Sequence, residues 1–509
     1  MNDVKRALIS VYYKEGIETA AQKLQEKGWE IISTGGTAKH LKNNNIDVLE
    51  VSKITGFPEI LDGRVKTLHP LIFGPILAKK SKEHLGQLEQ FSLSKIDLVI
   101  VNFYPFEEAL EKKEKGMDFM VENIDIGGPS MVRAAAKNFK DTIVIVERND
   151  YLPVVETLTG TGDISFEQRK ELAGRAFSYT SFYDSLISGY FHEGNDKNPL
   201  YMNYAGRKTQ ELRYGENPHQ KASLYIRDKK SPLGNFEKIR GKELSFNNIL
   251  DLSMVYEVLN WFKDDEPFSV IVKHQNPCGA ATASSQKDAF KKAFAGDSKS
   301  AFGGIAGFNK PLDGETAAEM KKIFFEVIVA PDYTPEALEC FRKKKNIRII
   351  KIALDYWEKT DIKTVPGGFV CQERDHKLKD FSEFELKTSR KLKENEQKDI
   401  EFGWKLMKFV KSNAIIIVKE GMLIGVGAGQ MSRVDSVEIS IKKSQLPLQG
   451  AVLLSDAFFP FPDSMEIAAA NKISVVVEPG GSVRDDEVIA AAKKHNISLF
   501  FTGMRHFRH

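Results

Sequence analysis

Between residues 6 and 146, short apolar runs of strand length alternate with stretches whose apolar residues recur at helical spacing, and this alternation leaves few folds open. Residues 7–11 predict a first strand, and Ile17, Ala20, Ala21 and Leu24 then recur one helical turn apart. Residues 30–32, 48–51, 96–101 and 142–146 predict further strands, with a helix after the second running through Leu41. A strand followed by a helix returns beside its neighbour in the same direction, so the predicted unit is a parallel α/β sheet with helices on both faces. Ligands of such sheets bind at the turns beyond the strand ends.

Those turns are rich in chemistry. Ser33-Thr34-Gly35-Gly36-Thr37 follows the second strand. Glycines let backbone amides converge, hydroxyls add donors, and the next helix presents its positive end, which makes a phosphate cradle. No Gly-Lys-Ser/Thr follows and the dinucleotide spacing is missing, so a plain tight turn explains the run equally well. In Asp62-Gly63-Arg64-Val65-Lys66-Thr67-Leu68-His69-Pro70, Arg64 and Lys66 fall on one side of an extended backbone, suiting a phosphate or a developing oxyanion. Val101-Asn102-Phe103-Tyr104 ends a buried strand. Ile124-Asp125-Ile126-Gly127-Gly128-Pro129 leads into a helix carrying Arg133 and Lys137, like charges that repel unless an anion lies between them.

Residues 147–200 read as helical and connective, and Gly194-Asn195-Asp196-Lys197-Asn198-Pro199 marks a boundary placed at 196/197. In the second half, Val270-Ile271-Val272-Lys273-His274 reads as a buried strand, stopped by Gln275-Asn276-Pro277-Cys278-Gly279. His274 can exchange a proton near neutral pH, and Lys273 beside it favours the neutral imidazole. In extended backbone the two point to opposite faces. A lone Lys-His pair is more often a surface lysine and a structural histidine. Glu326, inside the apolar run 324–330, is either paired or functional. Residues 414–418 and 423–426 predict a hairpin across Glu420-Gly421, and the runs at 452–455, 474–477 and 499–501 each lead to a polar or glycine-rich turn. The charged stretch 372–400 reads as solvated linker or helix. Similar strand-to-turn patterns on both sides of it suit an internal duplication that sequence identity is too low to establish.

A net charge of +3 gives no global reason to expect nucleic acid. Cys278, Cys340 and Cys371 lie far apart without a Cys-x-x-Cys, which argues against a zinc site and a disulfide framework. No apolar run reaches the ~18 residues that span a membrane, and no signal-peptide core is seen, so a cytoplasmic protein is expected.

Taken in order, Ser33 to Thr37, Gly63 to Pro70, Ile124 to Pro129, Lys273-His274, Gly427 to Arg433 and the terminal Arg-His-Phe-Arg-His resemble the bifunctional family that joins an IMP cyclohydrolase to an AICAR formyltransferase. The resemblance covers essentially the whole chain. It implies a cyclohydrolase over 1–196, with a methylglyoxal-synthase-like core at 1–147, and a formyltransferase over 197–509. The latter would comprise two cytidine-deaminase-like units without zinc, roughly 197–371 and 372–509. It further implies formyl transfer from 10-formyltetrahydrofolate to AICAR, ring closure of formyl-AICAR to IMP with loss of water, and a homodimer with formyltransferase sites at its interface. Whether a monovalent cation binds is left open.

By the same resemblance His274 takes the proton of the attacking amine with help from Lys273. Lys137 moves a proton in cyclisation, with Lys66, Tyr104 and Asp125 near it in role. Lys14, Thr34, Gly35, Gly36, Thr37, Arg64, Val65, Thr67, Val101, Asn102 and Ile126 match the nucleotide-binding set of the first unit. Arg213, Tyr214, Gly303, Glu326, Asn413, Arg433, Phe458 and Arg505 match positions that hold AICAR, and Asp463, Ser482 and Val483 fall at or near folate contacts. The chain departs from the family at Tyr12-Tyr13-Lys14, usually Ser-Asp before the lysine, and at Phe73-Gly74-Pro75, usually His-Gly-Gly. A nucleotide-sensing module built on the first unit and a nucleoside deaminase are the competing readings; the absent Cys-x-x-Cys disfavours the second.

Overall fold

A computed structural model describes residues 4–61, 64–194 and 199–509. The chain forms two compact units that divide after Arg207. The boundary expected at 196/197 falls in 195–198, outside the described residues.

The first unit holds β1 (Arg6–Ser10), β2 (Glu30–Ser33), β3 (Leu49–Glu50), β4 (Leu98–Val101) and β5 (Ile143–Ile145) in a parallel sheet of order β3-β2-β1-β4-β5. Every residue of β4 is buried, because helices cover both faces: Leu98 and Ile100 face one core, Val99 and Val101 the other. A 27-residue helix, Phe166–His192, is started by a capping box between Ser165 and Gln168 and packs along the helix Gly127–Lys137.

A two-stranded sheet, β6 (Arg207–Leu212) and β7 (Ala222–Ile226), opens the second unit, its first residue being the last of the first unit. There follow β8 (Glu237–Arg240), β9 (Phe268–Lys273), β10 (Asn276–Thr282), β11 (Ile305–Phe308), β12 (Val327–Ala330) and β13 (Arg348–Lys351). After a separate hairpin, β14 (Thr360–Val365) and β15 (Gly368–Glu373), come β16 (Glu385–Leu386), β17 (Ile415–Lys419), β18 (Met422–Gly427), β19 (Val452–Ser455), β20 (Val475–Glu478) and β21 (Ser498–Phe501). Twelve of these form one sheet of order β16-β21-β20-β19-β17-β18-β10-β9-β11-β12-β13-β8. Read outward from the antiparallel β10–β18 contact, the two halves repeat each other strand for strand, with parallel and antiparallel pairings in matching places. The second unit is therefore an internal repeat. Side chains alternate between two cores, Val270 and Val272 in one and Ile271 in the other, as expected for strands buried on both faces.

Three local expectations are corrected. Asn276 to Gly279 do not stop the Val270 run in a loop: they are strand β10, and only His274-Gln275 turns. Both turn residues have positive φ (53° and 59°), so His274 is not in extended backbone. Such a two-residue turn matches the twist of an antiparallel pair, and it overrides the turn signal of Asn-Pro. Secondly, 372–400 is not solvated throughout. Phe381 and Phe384 pack on the core, and Glu396 is 1% exposed, bonding Arg390 at 2.6 Å and Ser474 at 2.8 Å. Many of its charges are paired rather than solvated. Thirdly, Arg64 sits in a turn and pairs with Glu122, while Lys66 reaches Glu59 at 3.1 Å, so the two cations take different partners.

Candidate functional site

In the first unit the turns after β1, β2 and β4 meet the start of the helix Gly127–Lys137. Asn102, directly after β4, is 6% exposed; its carbonyl accepts the Tyr12 and Tyr13 N–H groups and its amide donates to the Tyr151 hydroxyl at 2.7 Å. Thr37 holds the same loop from the other side, bonding the Val11 N–H and carbonyl. The loop therefore presents Tyr12 and Lys14 whatever their identity, and Lys14 Nζ donates to the Tyr12 carbonyl at 3.0 Å.

Gly35 opens the helix Gly35–Asn43 with φ 52°, and a Cβ there would lie 3.3 Å from Lys66 Nζ. A Cβ on Gly36 would lie 3.8 Å from Lys14 Cε. Two lysines thus lean on a glycine-rich helix start, the composition of an anion site. Thr34 donates to Glu59, which also pairs with Lys66. Thr67 lies across from the next helix start: a Cβ on Gly127 would meet its hydroxyl at 2.9 Å, and one on Gly128 would meet Asp125 at 2.6 Å. Asp125 accepts the N–H groups of Gly128 (2.8 Å) and Tyr104 (3.3 Å). Burial pushes its carboxyl above the ordinary aspartate range against those bonds. Its own N–H donates to the Tyr183 hydroxyl, so the helix Phe166–His192 braces the site. Tyr104 stands half exposed, edge-on to Tyr12. Val65 bridges Ile60, Val101 is buried at the end of β4, and Ile126 is exposed at the helix start.

Lys137 is not with them. It is in the last turn of the helix whose first turn adjoins Asp125, about 15 Å along the axis from Gly127, and it is exposed. Arg133 stacks on Phe177 instead of sharing an anion with Lys137.

In the second unit the strand registers collect the predicted residues at one end of the twelve-stranded sheet. β9 ends there; β11, β12, β13 and β17 begin there; β18, β19, β20 and β21 end there. His274 is exposed on the β9–β10 turn, and Lys273 Nζ donates to the Phe302 carbonyl at 2.8 Å. Gly303 (φ 75°) donates to the Phe324 carbonyl. Glu326, one residue before β12, pairs with the buried Arg348. Arg213 stacks on Tyr214, whose backbone joins the segment leading into the helix Phe246–Trp261.

Beyond β17, β18 and β19 lies a cleft of about 510 Å³ lined by Asn413, Arg433, Phe458, Asp463 and Arg505 together with Met431, Phe461 and Phe507. Arg433 is 6% exposed and its guanidinium is occupied by Asp456, Ser455, Asn413 and the Ala414 carbonyl. It builds the wall more than it offers charge. Arg505, packed over Phe507, is not so enclosed. Ser482 and Val483 follow β20 outside the cleft lining, Ser482 bonding Asp485 and Val483 fully exposed. Asp456, fully buried, is the residue sequence reasoning passed over; its signal was an aspartate directly after an apolar strand. Beneath the cleft, the equally buried Glu478 accepts the Phe459 N–H, and burial pushes its carboxyl up to about 8. Among the described residues no group of three or more His, Cys, Asp or Glu is placed to hold a metal ion, and no helix is long and apolar enough to cross a membrane.

Residues 16–130 match the MGS-like domain family, and residues 135–443 match the family described as AICARFT/IMPCHase bienzyme. The bifunctional purine biosynthesis protein PurH of Caldicellulosiruptor saccharolyticus is 48% identical over 99% of this chain and 100% of its own length. Those of a Thermoanaerobacter species (47%) and Clostridium perfringens (46%) match over the same shares. With the parallel sheet, the repeated second unit and relatives aligned end to end, the chain belongs to the AICARFT/IMPCHase bienzyme family, the bifunctional purine biosynthesis proteins.

Proposed function

We propose that the two activities of this enzyme, formyl transfer to AICAR and closure of formyl-AICAR to IMP, are divided between its two units. Closure belongs to the Lys14–Lys66–Asp125 site and formyl transfer to the His274 end of the large sheet. The observation that carries the division is that each predicted set gathers on its own sheet, Lys137 excepted.

In the first unit the glycine-rich helix start with Lys14 and Lys66 binds the nucleotide phosphate or an oxyanion. Ring closure joins the carboxamide nitrogen to the formyl carbon and then expels the formyl oxygen as water, which needs a proton delivered to that oxygen. Lys66, Tyr104 and Asp125 are the donors at hand, and the raised Asp125 carboxyl holds its proton more readily than an ordinary aspartate. The separation of Lys137 favours Lys66 for this step. In the second unit His274 accepts the proton of the 5-amino group as that nitrogen attacks the formyl carbon of 10-formyltetrahydrofolate, and tetrahydrofolate leaves. Lys273, the last residue of β9, is anchored on the Phe302 carbonyl directly before this turn. The cleft with Phe458, Phe461 and Phe507 suits a flat heteroaromatic ring. The repeated halves of the second unit support two deaminase-like units without zinc, the division near 371/372 falling in the β14–β15 hairpin between them. A homodimer goes with this reading and is checked by sedimentation.

The test follows tetrahydrofolate and IMP separately in the full-length enzyme supplied with AICAR and 10-formyltetrahydrofolate. His274→Ala is expected to abolish tetrahydrofolate release while still closing formyl-AICAR supplied directly. Lys66→Ala is expected to release tetrahydrofolate and accumulate formyl-AICAR. Loss of both activities in either variant overturns the division. Accumulation of formyl-AICAR by the unaltered enzyme would mean that the first unit binds nucleotide without closing it.

A further inference from the structure

The two halves of the large sheet make the same hairpin twice. β9 and β10 are joined by His274-Gln275, β17 and β18 by Glu420-Gly421, and all four turn residues have positive φ. Each turn is held by an aspartate at the sixth position of the preceding long helix. Asp399, in the helix Glu394–Met407, accepts the N–H groups of Glu420 (2.9 Å) and Gly421 (2.6 Å). Asp251, in the helix Phe246–Trp261, accepts the Gln275 N–H at 2.7 Å, with a contribution from the His274 N–H.

The copies differ in what they hold. Glu420-Gly421 puts glycine at one left-handed position, where it costs nothing. His274-Gln275 puts ordinary side chains at both, a conformation that persists only when its surroundings impose it. The antiparallel β10–β18 pairing sends the two turns to opposite ends of the sheet, so only the first lies at the end that gathers the formyltransferase residues. The turn also adjoins the cleft segment, since Asn276 accepts the Lys411 N–H at 3.0 Å, two residues before Asn413.

We infer that Asp251 is a positioning residue for formyl transfer, fixing the backbone turn that aims the His274 imidazole at the substrate amine. This rests on the reading of His274 as the base. A carboxylate offers acceptors to both turn N–H groups; an asparagine offers one acceptor and presents its own N–H groups to the other donor. With the turn released, the imidazole samples other directions and the reacting geometry is diluted.

The repeat supplies its own control. Asp251→Asn and Asp399→Asn remove equivalent bonds from equivalent turns, and only the first turn carries a histidine. In the full-length enzyme, Asp251→Asn is expected to lower kcat for tetrahydrofolate release by about tenfold or more. The KM for AICAR and the cyclohydrolase rate should stay within about twofold, the size of an indirect effect. Both variants are expected to lower the melting temperature by similar amounts, while Asp399→Asn leaves kcat within about twofold. Equal kcat losses in the two variants, or a loss confined to KM, overturn the inference. If Asp251→Asn does not fold, Asp251→Glu, which keeps both acceptors but shifts them by a methylene, is judged by the same split. His274→Ala is measured alongside. Retained formyl transfer in that variant sinks the His274 reading itself, whereas an inactive His274→Ala beside a fully active Asp251→Asn sinks only the role of Asp251.

Discussion

Glu478 stands at the end of β20, 0% exposed, with one carboxyl oxygen on the Phe459 N–H and the other without a partner. Burial dominates its titration and Asp485 adds to it, Arg433 opposing, so the carboxyl moves from the usual 4.5 up to about 8. In the fold it is protonated at neutral pH; in the unfolded chain it is ionised. The folded state then binds the extra proton, so this group's contribution is intact below pH 4.5 and is lost as pH rises toward about 8. Each pH unit inside that window costs about 1.4 kcal/mol, so roughly 3 kcal/mol should disappear between pH 5.5 and 8.5. Glu478→Gln keeps an acceptor for Phe459 and cannot ionise. Urea unfolding of the full-length protein and of this variant, followed at both pH values, isolates the effect, because every other titrating group cancels in the difference. The variant should be the more stable form at pH 8.5, and its advantage should shrink by about 3 kcal/mol at pH 5.5. Parallel stability profiles for the two proteins would refute the reasoning.

Three further outcomes are expected. Gly35→Ala, which forces a Cβ onto φ 52° and toward Lys66 Nζ, should cost about 1–2 kcal/mol locally and lower cyclohydrolase activity at least about tenfold, formyl transfer being unchanged in a coupled absorbance assay. Asp456→Asn leaves the buried Arg433 uncompensated and should destabilise the second unit by about 3–5 kcal/mol in urea unfolding, with a raised KM for AICAR as the cleft wall loosens. Glu396→Ala should cost about 3 kcal/mol by stranding Arg390, an effect in thermal unfolding that a solvated linker would not give.

What the sequence revealed, and what it hid, follows from the range of each interaction. The strands at 452–455 and 30–32 announce themselves because Val452 to Leu454 and Ile31-Ile32 are buried, unbroken apolar runs, a local property. The Glu420-Gly421 hairpin was equally legible, since glycine at a left-handed position is a local signal. The His274-Gln275 hairpin was not, because its turn is imposed from outside, by Asp251 some 24 residues earlier, against the preferences of its own residues. The stretch 372–400 misled for a related reason: charge density reads as solvation, yet Arg390 and Glu396 are partners turned inward toward Ser474 and Ser498, about a hundred residues on. Lys137 was grouped with Asp125 by family resemblance, but ten residues of helix separate the two ends of that segment.

The repeat also sets the residues beside the cleft against their counterparts in the other half. Arg433 and Gln286 occupy the same place in the two halves, each the first residue of the helix that follows the second hairpin strand. Asp456 and Asn309 likewise each follow directly on equivalent strands, β19 and β11. In the second half these positions form a buried ion pair that fixes Asn413 and, through Ser412, the Arg508 backbone, so the chain's last residues are held along the cleft. In the first half both are neutral amides. Asn309 donates to the carbonyls of Phe262, Asp265 and Glu266 and accepts the Phe268 N–H, while Gln286 bonds Lys310, Pro311 and Asp313. An amide saturated by nearby backbone has nothing left for a ligand. A charged pair demands further polar partners, and at this end they come from Asn413, Ser412 and Ser455. The two halves of one architecture thus differ by two substitutions of character, amide for charge, at two equivalent positions, and the cleft lies beside the charged pair.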